Sequence, residues 1–159
     1  MTMQEAAQRQ DGMLDATMSA VVPGLHWTHG ATTTGNCDVT RRRVVMTIVS
    51  EERRGNLLGM VQRSWEKSGY VIKSVNKSRK FPAIFAETDD GFGISVSVGG
   101  EGQFAFSADS PCVKKSEVAE PSTSPNGPEY DYPIPRPNVN DSFWSSDEPI
   151  PPASPSRSR

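Results

Sequence analysis

The sequence predicts an α+β fold, an antiparallel sheet of about five to six strands with two helices packed on one face. The expected order is α-β-β-α-β-β-β-β, followed by a disordered Pro/Ser-rich C-terminal tail. Three observations carry this. Two segments repeat apolar side chains at helical spacing. Several short segments alternate apolar and polar residues between turn signals. From Pro121 onward the composition changes, and ten of the thirteen prolines lie there.

The first helix opens at Thr2-Met3-Gln4-Glu5, which fits a capping box. Ala7, Leu14, Met18 and Val21 follow at helical spacing, and Pro23-Gly24 ends the pattern. Gly12 weakens the middle by up to ~1 kcal/mol. Leu25 to Thr34 reads as a strand with Leu25 and Trp27 on one face, and Gly35-Asn36 is a turn signal. Val39 to Val49 is a second, longer strand. Val44, Met46 and Ile48 face one way, Val45, Thr47 and Val49 the other, so its apolar end belongs inside the sheet.

Ser50-Glu51-Glu52 starts a second helix, with a capping hydroxyl and two acids where the helix dipole favours them. Leu57, Leu58, Val61 and Trp65 form its apolar stripe, and Gly69 is a natural stop. Tyr70 to Val75 alternates weakly. Ala83 to Thr88 reaches the hairpin signal Asp89-Asp90-Gly91. Phe92, Ile94, Val96 and Val98 alternate with Gly93, Ser95 and Ser97, a strand wet on one face. Gly99-Gly100-Glu101-Gly102 turns the chain again, and Phe104 and Phe106 lie on a last strand.

This divides the chain into a globular domain over 1–113 and an extended tail over 114–159. A stretch so rich in Pro, Ser, Asn and acidic residues buries too little apolar surface of its own to offset its conformational entropy. Pro133-Ile134-Pro135-Arg136-Pro137 suits polyproline II. Tyr130, Tyr132, Phe143 and Trp144 disturb that reading. They suit a recognition motif, a strap packed on the chain's own domain, or exposed side chains.

The net charge is −2. Residues 1–112 carry twelve acidic and twelve basic side chains, so the tail supplies the whole excess. A neutral domain has no long-range field to steer it onto nucleic acid, which is excluded as a partner class. The longest mostly apolar run, residues 44–49, is far short of the ~20 residues of a membrane span. Residues 1–10 lack the apolar centre of a signal peptide. Arg41-Arg42-Arg43 before Val44-Val45-Met46 lies too far inside the chain for a twin-arginine leader.

Cys37 and Cys112, the only cysteines, bracket nearly all the strand-like sequence. One disulfide closing the domain, worth ~4 kcal/mol by loop entropy, is the favoured reading and points to an oxidising compartment. Two unrelated buried thiols are the alternative. Zinc would need more ligands than Cys37, Cys112, His26 and His29 bring together.

No residue set points to catalysis. His26 and His29, three apart on a strand, project to opposite faces. No GxSxG elbow occurs. Glu51-Glu52 and Asp89-Asp90 are explained by a helix start and a hairpin turn. The glycine-rich Gly91-Phe92-Gly93 and Gly99–Gly102 do not lead from a strand into a helix, as a phosphate cradle requires. Arg41, Arg42, Arg43, Arg53 and Arg54 are a candidate ligand surface, for an anionic wall polymer or lipid head group. Asp38, Glu51 and Glu52 lie near enough in sequence to neutralise much of it, and a solvated or salt-bridged face is the plainer reading. Asn76-Lys77-Ser78 and Asn140-Asp141-Ser142 fit the glycosylation sequon.

Several segments together resemble a family of small actinobacterial extracytoplasmic lipoproteins. They are Gly30 to Arg43 (GATTTGNCDVTRRR), Ser50 to Asn56 (SEERRGN), Ala86 to Gly93 (AETDDGFG), Ser110-Pro111-Cys112-Val113, and Pro135 to Val139 (PRPNV). The resemblance implies an export leader and a lipidated cysteine upstream of Met1, hence a membrane tether on the outer face. It implies no assigned activity, so no catalytic residue carries over.

The sequence thus reads as a monomeric, non-enzymatic, extracytoplasmic domain without cofactor or metal, secreted or anchored at the cell membrane. Its expected partner is a protein, a peptide or an envelope component. The alternatives are a small hydrolase or accessory enzyme of envelope metabolism, and a secreted inhibitor or immunity protein.

Overall fold

The structure, a computed structural model, describes residues 1–150. Helix α1 (Met3–Ala20) begins with the expected capping box: the Glu5 amide donates to Thr2 Oγ1 at 3.1 Å and the Thr2 amide to Glu5 Oε1 at 2.8 Å. Its inner stripe, with Met3, Ala7 and Leu14 buried, packs on strands β3 (Val39–Val45) and β7 (Phe104–Asp109). Helix α2 (Glu51–Lys67) buries Leu57, Val61 and Trp65 against α1, β4 (Val71–Asn76) and β5 (Ala83–Glu87). The Trp65 indole donates to Thr17 Oγ1 at 3.0 Å, which pins the two helices together.

The sheet runs β1-β3-β7-β6-β5-β4, with every neighbouring pair antiparallel. Here β1 is Trp27–His29 and β6 is Gly93–Val98. The short β2 (Thr33–Thr34) also pairs with β3, so the segment read as one strand from Leu25 to Thr34 forms two pieces. Strands β4 to β7 form a meander through the expected turns. Gly91 adopts φ +91° at the β5–β6 hairpin, and Thr88 Oγ1 donates to Asp90 Oδ1 at 2.6 Å. Phe92, Ile94, Val96, Val98, Phe104 and Phe106 are all buried beneath the helices. Register slips at Lys73, where β4 bulges.

Strand β3 is shorter than expected. It stops at Val45 because the His26 amide turns to Thr47 Oγ1, and the Met46 carbonyl it would otherwise meet receives the amides of Asn138 and Val139. Ser50 does not cap α2 with its side chain. Its hydroxyl donates to the Ser146 carbonyl at 2.5 Å.

That contact belongs to the largest correction. The stretch beginning at Pro121, read from composition as extended and mostly disordered, does lack helix and named strand over its described part, but residues 121–150 lie against the domain as a strap; the expectation for 151–159 falls outside the described residues. Asn126 accepts from the Trp27 amide at 2.9 Å and donates to the Leu25 carbonyl at 2.7 Å. Val139 forms a parallel bridge with Thr47, and the Ser50 amide donates to the Trp144 carbonyl. Trp144 is wholly buried in the core cluster. The composition argument weighed only what the tail can bury of itself. The domain supplies the missing apolar surface and leaves backbone donors and acceptors that the strap completes.

Candidate functional site

The five arginines do not form one surface. Alternation along β3 turns Arg41 and Arg43 inward beneath α1 and Arg42 outward. Arg41 Nε lies 3.2 Å from Asp11 Oδ1, and its other nitrogens donate to Thr32 Oγ1 at 3.0 Å and the Ala119 carbonyl at 2.9 Å. Arg43 donates to Asp15 Oδ1 at 2.6 Å and stacks 4.0 Å over the Trp27 ring. Burial pushes the Asp11 carboxyl above the ordinary aspartate range, against the opposing pull of Arg41 and Arg43. Arg42 donates to the Ala31 carbonyl and to Thr33 Oγ1.

Arg53, also buried, lies 4.3 Å over the Phe143 ring and donates to the Glu148 carbonyl at 2.9 Å. Arg54 lies within 3.9 Å of Glu51. Desolvation explains the dispersal: each buried guanidinium requires its own carboxylate, carbonyl or aromatic face. Sequence reading missed the partners Asp11 and Asp15, yet a signal was present. Four residues on a helix span about 6 Å and two on a strand about 6.6 Å, so Asp11/Asp15 and Arg41/Arg43 match in pitch.

The tail aromatics separate too. Trp144 Nε1 donates to the Pro23 carbonyl at 2.7 Å, and Phe143 meets its ring edge-on at 4.8 Å. The Asp141 carboxylate accepts from the amides of Phe143 and Trp144, at 2.9 and 2.8 Å, which fixes the turn presenting both rings. Tyr130 donates to Asn138 within the strap at 3.0 Å, while Tyr132 is exposed. Of the three readings of these aromatics, the packed strap is the one that Phe143 and Trp144 follow.

Cys37 and Cys112 are joined in a disulfide. The His29 ring bonds the Thr123 carbonyl through Nε2 at 2.6 Å and stands edge-on to Trp27. Among the described residues no group of three or more His, Cys, Asp or Glu is placed to hold a metal ion. Among the described residues no helix is long and apolar enough to cross a membrane.

A well-formed concavity lies elsewhere. A groove of about 660 Å³ separates α2 from the hairpin of β4 and β5. Leu58, Val75, Ala83 and Ile84 supply its apolar floor. Glu51 and Glu52 stand at the α2 end, and Lys77 and Arg79 face them from the hairpin loop. Two helical glycines, Gly55 and Gly59, flatten the helix wall. Neither Trp27 nor Trp65 lines it. The overlooked signal was the pair of glycines four apart in the middle of a helix, each costing up to ~1 kcal/mol relative to alanine.

No protein-family model and no curated protein matches the chain. Among solved structures it is similar to a DUF4853 family protein from the actinobacterium Actinomyces odontolyticus, at 18% identity and a TM-score of 0.43, over 78% of this chain and 76% of that one. At that degree of likeness no functional inference passes from that protein to this one.

Proposed function

We propose that this chain is an extracytoplasmic binding module of the cell envelope, without catalytic chemistry of its own, that holds a protein, peptide or envelope component in the groove between α2 and the β4–β5 hairpin. The observation that carries the reading is the groove itself: an apolar floor between charged rims, beside a sheet edge. The Cys37–Cys112 disulfide supports the compartment, since such bonds persist outside the reducing cytoplasm. The lipoprotein character implied by the sequence resemblance belongs to the same proposal, with the lipid carried upstream of Met1 and the module acting as a monomer.

A photo-cross-linking residue at Gln62, within the groove, tests the binding reading in intact cells against one at Gln8, exposed on α1. Capture from position 62 and not from position 8 is the expected result. Equal capture, or none, overturns it. Thiol titration of unreduced material isolated from the host tests the address, and two reactive sulfhydryls per chain would refute it.

A further inference from the structure

We infer that the groove takes an extended acidic segment of a partner polypeptide, added as a further antiparallel or parallel strand along the free edge of β4. This deepens the binding reading above and rests on it. Three independent features converge on that occupant.

The first is the edge. Strand β4 pairs with β5 alone, and it ends the sheet among the described residues. Alternate residues of such a strand direct both their N–H and C=O outward, as donors and acceptors a new strand satisfies. Five of its six residues are exposed, including Val71 and Val75. Edge strands left open in this way are templates for strand addition.

The second is the helix wall. The face of α2 turned to the groove carries Gly55, Leu58, Gly59 and Gln62. A Cβ at Gly55 would meet nothing within 4 Å, and one at Gly59 would meet only the flexible end of Arg63. Packing of the domain therefore does not demand glycine at either position. The space they leave admits the side chains of a strand lying 4.7–4.9 Å beyond β4. Those side chains, two residues apart, would meet Leu58 and Val75 on the groove wall and floor.

The third is charge. Lys73 on β4 and Lys77, Arg79 and Lys80 beyond it are exposed, and none is ion-paired among the described residues. Glu51 and Glu52 lie across the groove on the helix, so the sheet edge itself is cationic while the molecule as a whole is −2. An acidic strand complements that edge, and a basic one is repelled by it.

The test uses the full chain with its disulfide intact and a fluorescent octapeptide of alternating glutamate and valine. An octapeptide of alternating lysine and valine serves as the charge control. A third peptide, the glutamate–valine sequence N-methylated at alternate residues on either edge, lacks the ladder donors. Backbone amide shifts locate binding, and fluorescence anisotropy measures it. The acidic peptide is expected to move the amides of 71–76 and 55–62. The lysine peptide and the N-methylated peptide are expected to leave them unmoved.

Exchanging Lys77 and Arg79 for glutamate should weaken the acidic peptide about tenfold, the scale of two lost surface ion pairs. Gly55→Leu should weaken it comparably while leaving the thermal midpoint at or above the parent, because leucine favours the helix and meets open space. Unmoved β4 amides, or binding indifferent to N-methylation, overturns the inference. So do amide shifts at 71–76 that follow protein concentration instead of peptide, which would make a second copy the occupant. If position 62 cross-links a partner in cells while the acidic peptide fails, the strand inference falls and the binding module stands. If neither binds, both fall.

Discussion

At the scale of single residues, the buried ion pairs carry the sharpest expectations. Asp11 and Arg41 face each other where water is excluded, so removing one partner strands the other charge. Arg41→Met should cost about 3–5 kcal/mol in urea unfolding, whereas Arg42→Met, on the outer face, should cost under about 1 kcal/mol. Similar losses would mean that the inward turn of Arg41 is wrong. Asp90 offers a pH-dependent test. Hydrogen bonds from the Arg9 guanidinium, and then from Thr88, hold its carboxyl below the ordinary range. Its stabilising contribution is therefore full above the ordinary carboxylate pKa and is lost as pH falls through the depressed one. Asp90→Asn should lower stability at neutral pH, and the gap to the parent should close in acid. Asp11, raised by burial, has the opposite sign and contributes most when protonated. A gap for Asp90→Asn that widens on acidification would contradict the Arg9 contact. The sequence showed the arginines but not their neighbours. Clustering in the chain suggested a patch, while period-two alternation and desolvation scattered it.

At the scale of elements, most of the domain was legible because each segment is locally consistent. Thr2 and Glu5 cap α1, Leu57, Val61 and Trp65 line α2, and Asp89-Asp90-Gly91 turns the hairpin, all from nearest-neighbour chemistry. The strap was not legible in the same way. Its backbone is held by partners far away in the chain, and no local pattern encodes Asn126 against Leu25 or Val139 against Met46. Only the apolar pair Phe143-Trp144 announced that something must be buried. That pair gives the next expectation. Trp144 is fully buried in the core cluster and donates to the Pro23 carbonyl. Trp144→Ala should destabilise the chain by about 3–5 kcal/mol, the range for a fully buried aromatic. Tyr132→Ala, at an exposed ring, should change stability by less than about 0.5 kcal/mol. Equal effects would show that the strap is not anchored through its aromatic pair. The groove was the least legible element, because it is built by what is missing: two side chains on α2 and a neighbour for β4.

At the scale of the whole molecule, the disulfide and the order of strands act together. Strands β3 and β7 are neighbours in the sheet, yet α2, β4, β5 and β6 lie between them in the chain. Closing that pair early would cost loop entropy for a contact of long sequence separation. Cys37 precedes β3 and Cys112 follows β7, with 75 residues of separation. The bond therefore holds together the two strand ends that the unfolded chain would otherwise have to find. Loop-entropy arithmetic assigns it about 4 kcal/mol. Replacing both cysteines by serine should remove most of that amount in urea unfolding and raise the urea dependence, because the opened chain exposes more surface when unfolded. Refolding of the open chain should slow more than its unfolding accelerates, since the β3–β7 pairing then has to be searched for. Stability and urea dependence equal to the parent would mean that the strap and core already set the β3–β7 register without the covalent link.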